Sequence, residues 1–238
     1  MPSPPVFKSI TCLFSLRPVM KLLLDTIRSF FLYAIMTIGI ILMLRIISAY
    51  VGFDSHAGFL AFKQDYLHIT TWKIAFYIHV FASIFTLIAG FTQFSDFLLQ
   101  KQRALHRWIG KAYVFNILFI NFPSALIMAV YANGQLPSKI AFVTLDVLWF
   151  YFTYKAYTEI RKKQVLAHEE FMIRSYALTC TALTLRLWKM ILTSTTDLDP
   201  NTIYMIDAWL GFVPNLLVAE ILIYRKRIVR NHLPNPTK

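Results

Sequence analysis

The chain has 238 residues, 57% of them hydrophobic and only 15% charged, with a mean hydropathy of +0.55. Soluble domains are about 45–50% apolar and about 25% charged, so an ordinary water-soluble domain is excluded. The formal net charge of +12 does not point to nucleic acid, because the basic residues flank apolar blocks and form no continuous soluble face.

In chain order, residues 1–28 form a basic N-terminal segment whose short apolar runs are broken by Arg17, Pro18, Lys21 and Asp25. No small-residue cleavage site follows, so a cleaved signal peptide is not expected. Met20 offers a second possible start. A membrane span needs about twenty mostly apolar residues, since a helix rises about 1.5 Å per residue through about 30 Å of hydrocarbon. Six blocks meet that need, at about residues 30–50, 74–94, 112–131, 140–157, 171–192 and 203–224. The fourth is interrupted by Asp146 and Lys155, and the fifth carries Arg174, Arg186 and Lys189. Continuous apolar blocks predict helices, whereas a barrel would alternate with a period of two. The expected fold is an all-α, polytopic transmembrane bundle over residues 29–224, followed by a basic tail at 225–238. Pro123 and Pro214 predict kinks in the third and sixth spans, and Gly90 with Gln93 marks close helix contact.

Charge sets the expected orientation. The N-terminal segment, the second and fourth connections and the tail hold seventeen basic residues, whereas the other three connections hold only Lys63, Lys73 and Lys139. Basic residues collect on the cytoplasmic side, so both termini are expected there, in the cell membrane. The Arg225-Lys226-Arg227 run is expected to anchor to anionic lipid heads. Cys12 lies before the first span and Cys180 inside the fifth, which gives no disulfide framework and no zinc spacing.

Ionisable residues at membrane depth are functional candidates. Counting from the predicted span ends, His79, Asp146 and Arg186 lie about 9–12 Å below the outer surface, and Arg45 and Asp207 fall in the same outer third. These five are expected to form an intramembrane polar cluster, with His79 hydrogen-bonded within it, for example to Asp146. Such a cluster would suit a quinone head group or an anionic substrate. A second group gathers at the cytoplasmic side: His106, Glu159, His168, Arg174 and Glu220. His106 and His168 open two spans of the same direction. Neutral imidazole ligates metals and haem iron, Gly110 one turn beyond His106 would make room for a ring, and Arg107, Lys111 or Arg174 would pair with propionates. Haem b ligation is one role open to this pair; proton handling or interfacial structure is the other.

His79, Gly90, Gln93-Phe94, the run His106-Arg107-Trp108-Ile109-Gly110 with Tyr113, His168 with Met172, Arg174-Ser175-Tyr176-Ala177-Leu178 and Leu185-Arg186 resemble the family catalogued as domain of unknown function 2306. The resemblance covers about residues 72–192 and implies a multi-pass bacterial membrane protein with no established activity. Where the family usually has a small tryptophan-containing doublet after its second histidine, this chain has Glu170-Phe171. The arrangement also resembles cytochrome b561-type proteins. That likeness implies haem between His106 and His168 only, because His79 lacks a fourth-span partner. The leading expectation is membrane electron transfer through one b-type haem, with a quinone or redox partner. The alternative is a small-solute or proton transporter, or an accessory subunit, working through the outer cluster.

Overall fold

The computed structural model describes residues 6–232; residues 1–5 and 233–238, which include Met1 and Lys238, lie outside it. The chain divides into two compact units, Met1–Leu42 and Met43–Lys238.

The first unit holds most of α1, Val6–Ser48. Its stretch from Thr26 onward is apolar on every side, with Phe30, Leu32, Ile35, Ile38 and Leu42 all exposed, which is the pattern of a helix solvated by lipid. The helix begins at Val6, well before the apolar block near residue 30. Leu22, Leu23 and Leu24 favour helix, and extending a helix already formed is easier than nucleating one.

The second unit is helical. After the end of α1 come two 3₁₀ turns, Gly58–Phe62 and Gln64–Tyr66, then α2 (Thr70–Gln93), the short α3 (Asp96–Lys101) and α4 (Arg103–Phe115). A π-helical segment, Asn116–Asn121, joins α4 to α5 (Phe122–Val130) in one rod. Then follow α6 (Gln135–Arg161), α7 (Val165–Thr179), α8 (Thr181–Thr195), α9 (Pro200–Leu210) and α10 (Val213–His232). Among the described residues, four segments are long and apolar enough to cross a membrane: Thr26–Ser48, Thr70–Gln93, Arg103–Val130 and Pro200–Asn231. The α6 helix, at 27 residues, and the α7–α8 rod reach comparable lengths but carry more charge.

α2 packs against the α4–α5 rod, that rod against α6, α6 most extensively against α7, and α7 back onto α2, closing a ring of four rods. α9 packs on α6 and α8, and α10 on α7. Lipid gives no hydrophobic drive for helix association, so small residues and interhelical hydrogen bonds must hold such a ring. Both are present. A Cβ on Gly90 would lie 2.4 Å from the Tyr176 ring and 2.9 Å from the Tyr113 ring, so only glycine lets these two tyrosines pack against α2. The Tyr113 hydroxyl bonds Ser175 Oγ and Thr179 Oγ1, each at 2.9 Å; Trp149 Nε1 donates to Thr179 Oγ1 at 3.1 Å, and Thr153 Oγ1 meets Ser175 Oγ at 2.7 Å. One buried network thus ties α4, α6 and α7.

The kink expected at Pro123 takes a specific form. Pro123 offers no N–H to the preceding turn, and Ser124 Oγ donates to the Ile120 and Asn121 carbonyls instead. In an α-helix, positions five apart point about 140° away from each other; the wider π turn brings them toward one side. Asn116 and Asn121 therefore both face α2, and both amides donate to Thr86 Oγ1, at 2.7 and 3.0 Å. Near Pro214 the span Pro200–Asn231 is interrupted by a short turn at residues 211–212, between α9 and α10.

At the end carrying the α1–α2 connection, Tyr50, Leu60, Trp72, Phe76 and Tyr77 form a buried aromatic cluster. Lys63, counted in sequence as a loop charge, is only 2% exposed; its Nζ donates to Tyr131 O at 2.5 Å and Asn133 Oδ1 at 2.6 Å. Gly58 has φ +52°, and a Cβ there would meet Tyr50 Oη at 2.6 Å. That hydroxyl accepts from Phe59 N, so the loop is pinned from both sides.

At the opposite, basic end part of the run Arg225-Lys226-Arg227 is paired. Lys226 pairs with Glu169, and Arg227 and Arg230 pair with Glu170. Two of the three basic residues of the run thus face carboxylates at the start of α7 while staying about half exposed, and Arg225 is exposed. Glu170, the residue that departs from the family doublet, is one of the two acids that hold α10 there.

Candidate functional site

The bundle places its candidate residues in two zones. At the basic end, His106 on α4 and His168 on α7 lie within electrostatic reach of each other. Their helices face across the four-rod ring, joined one turn or two deeper by the Tyr113 hydroxyl. His168 Nδ1 lies 2.8 Å from Ala156 O. A carbonyl only accepts, so Nδ1 carries the proton and Nε2 keeps its lone pair. A backbone carbonyl behind a ring nitrogen fixes the orientation of ligating histidines and raises their basicity. His106 Nδ1 is buried with no hydrogen-bond partner, so this imidazole has unspent capacity in the interior.

The surroundings differ from expectation at two points. The space beside Gly110 is filled: a Cβ there would lie 2.9 Å from Gln93 Oε1, and Gln93 Nε2 is itself buried and unpaired. Arg174 is not free either. It grips Glu220 through Nε at 2.5 Å and Nη2 at 2.9 Å, and its guanidinium lies 5.4 Å from the Phe171 ring centroid. Glu159 is paired with Lys155 and Lys162, so the expected group of five divides into a histidine pair and separate ion pairs. Arg107 and Lys111 are exposed and make no ion pair among the described residues.

Do these residues fit a haem? The donor set does: two imidazoles from separate helices, one already oriented by a carbonyl and one with an orphaned nitrogen. The obstacle is the far end of Gln93, a flexible amide that holds no partner through Nε2. Gln93 would have to move for a ring to enter beside Gly110, and Arg107 and Lys111, not Arg174, are the basic residues left without an ion pair among the described residues.

The polar cluster expected at the other end of the bundle is only partly assembled. His79 lies within reach of Arg186, and Arg186 within reach of Asp207 and Tyr50. Lys189 joins through Asp207. Asp146 does not take part: it is 3% exposed and neither carboxylate oxygen has a hydrogen-bond partner, so the expected His79–Asp146 bond is absent. His79 faces the Asn121 backbone instead. Arg45 is exposed on α1 and makes no ion pair among the described residues. Position along a helix says nothing about azimuth round it, and Arg45 and Asp146 stand apart from the other three.

Sequence reasoning missed Gln93 as a neighbour of Gly110, the hydroxyl network around Tyr113, and Lys189 and Tyr50 in that polar cluster. Ser, Thr and Tyr occur throughout this chain, so only three-dimensional placement distinguishes those that meet. Asn116 and Asn121 did carry a signal, two amides inside an apolar block.

The family model of the DUF2306 predicted membrane proteins matches residues 76–223. The chain belongs to that family. The matched region runs from α2 into α10 and so includes both histidines at the basic end, Arg186 and Asp207 at the other, and α9, which lies beyond the stretch that carried the resemblance in sequence. As a DUF2306 member it is a membrane protein, and its all-helical bundle agrees with that description. No curated protein and no solved structure matches the chain.

Proposed function

We propose that this DUF2306 protein is a membrane electron carrier that holds one b-type haem between His106 and His168. Six helical rods cross the cell membrane, with both termini and the histidine pair on the cytoplasmic side. The single observation that carries the reading is that the two imidazoles lie within electrostatic reach, with His168 Nδ1 committed to Ala156 O and Nε2 left for iron. The likeness to cytochrome b561-type proteins enters for this pair alone.

When bound, the haem supplies a one-electron couple between ferric and ferrous iron. The chain's own residues do the rest. His106 and His168 would be the residues to hold the iron, and Ala156 O keeps the His168 ring from rotating. Arg107 and Lys111 neutralise propionates at the basic surface by charge-assisted bonds. The Tyr113–Ser175–Thr179–Trp149 network ties α4 to α7, which would hold the spacing of the two imidazoles fixed. A quinone or a small redox protein is the exchange partner. A transporter reading has its own support in the polar groups at the other end.

Substitution tests the assignment. His106→Ala and His168→Ala, each expressed with ample haem supply, should lose the Soret band, whereas His79→Ala should keep it. A Soret band that survives in both basic-end variants would overturn the assignment.

A further inference from the structure

We propose that the face of α8 bearing Arg186 and Lys189 is a binding site for an amphipathic monocarboxylate, a ligand with one carboxylate head and an apolar body. The inference is independent of the haem reading, because it concerns the opposite end of the bundle.

The site is a groove of about 590 Å³ lined by Arg186, Lys189, Met190, Thr193 and Ser194. It is open along one side, a depression on the exposed face of α8 and not an enclosed cavity. The lining residues recur at three- and four-residue steps and so share one helical face. Arg186 lies nine residues before the end of α8 at Thr195, about 13 Å below it along the helix.

Charge defines what the groove lacks. Arg186 has five N–H donors, and its one hydrogen bond among the described residues is from Nη1 to Ala182 O, on its own helix. The opposing acid within reach of Arg186 and Lys189 is Asp207, 1% exposed, whose Oδ1 is buried without a partner. Two cations against one buried carboxylate leave an excess of positive charge on this face. Unpaired charge there is costly, and such residues normally pair or serve a ligand. A monoanion closes the balance.

The remaining walls select its class. Thr193 and Ser194 donate their hydroxyl protons to the Lys189 and Ile191 carbonyls, so donors toward the groove come from the two cations. A planar carboxylate matches the guanidinium fork in two parallel bonds. Met190 is 63% exposed and Phe62 is 74% exposed, with Lys189 Nζ 5.7 Å from the Phe62 ring centroid. These supply an apolar surface for the body of the ligand. A phospholipid phosphate sits at the interface, well above Arg186, and is the less suited head group.

The test uses the full chain in nanodiscs of phosphatidylcholine, with decanoate and the neutral decanol as probes and isothermal titration as the readout. Decanoate should bind saturably and decanol should not. Arg186→Gln should weaken decanoate binding by roughly tenfold or more, the scale of a charge-assisted hydrogen bond, and Lys189→Gln should weaken it by a smaller factor. Lys189→Gln keeps the test decisive if Arg186→Gln does not fold. Decanol binding as tightly as decanoate, or unchanged decanoate affinity in the folded variants, would overturn the site. Loss of decanoate binding on adding phosphatidylglycerol would assign the groove to a lipid phosphate and overturn the monocarboxylate.

Discussion

Lys63 shows how one side chain can be misjudged from its position in a polar loop. It is buried against the Tyr66 ring, 4.8 Å from the centroid, and its ammonium closes the α1–α2 loop onto Tyr131 and Asn133. Burial first, and the nearby Lys139 cation second, push its pKa from 10.5 down to about 8. The folded loop therefore binds this proton less tightly than the unfolded chain. Below pH 8 both states are protonated and the full cost of burying the charge is present. Between pH 8 and 10.5 the folded state sheds the proton while the unfolded state keeps it, so the loop gains stability as pH rises through that window. Hydrogen exchange of residues 58–67 should slow between pH 8 and 10, after correction for intrinsic rates, and Lys63→Met should remove that extra protection. Equal corrected protection at both pH values would contradict the assignment.

Elements were more legible than their contacts. Each apolar block falls on a long rod, because about twenty apolar residues are the length a bilayer demands, but several rods run well past their blocks, α1 starting at Val6 and α4 at Arg103. Gly90 was rightly read as a point of close approach, since a missing side chain beside an aromatic-rich neighbour has few other uses. The π segment was not legible, since proline alone announces a lost hydrogen bond but not how the turn is rebuilt. Its consequence is the convergence of Asn116 and Asn121 on Thr86, whose own hydroxyl donates to Ala82 O at 3.1 Å. Thr86→Val keeps the shape and removes the shared acceptor. It should destabilise the bundle by about 1–3 kcal/mol, measured by denaturant unfolding in detergent micelles, and more than Thr92→Val, whose hydroxyl bonds only its own helix at Ala89 O. An unfolding midpoint equal to that of the wild type would show that the two amides find other acceptors.

For the molecule as a whole, sequence reached the class and stopped short of the site. Charge asymmetry named a basic end, and the structure places the α6–α7 turn, the start of α7 and the end of α10 together there through Glu169–Lys226 and Glu170–Arg227. It could not foresee that Arg174 would be spent on Glu220, because a pair so far apart in sequence needs the packing of α10 on α7 to exist. Orientation is open to direct experiment. A fluorescent protein fused after residue 238 should fold and emit, and alkaline phosphatase fused at residue 55 should be active; the reverse pattern would invert the bundle and put the histidine pair outside. The most direct test of the electron-carrier account is the reduced-minus-oxidised absorption spectrum of the purified wild-type chain, expressed with ample haem and quantified per polypeptide. The account predicts a Soret band and about one haem per chain, with the low-spin character of two imidazole ligands. A colourless protein with an intact helical fold would contradict it.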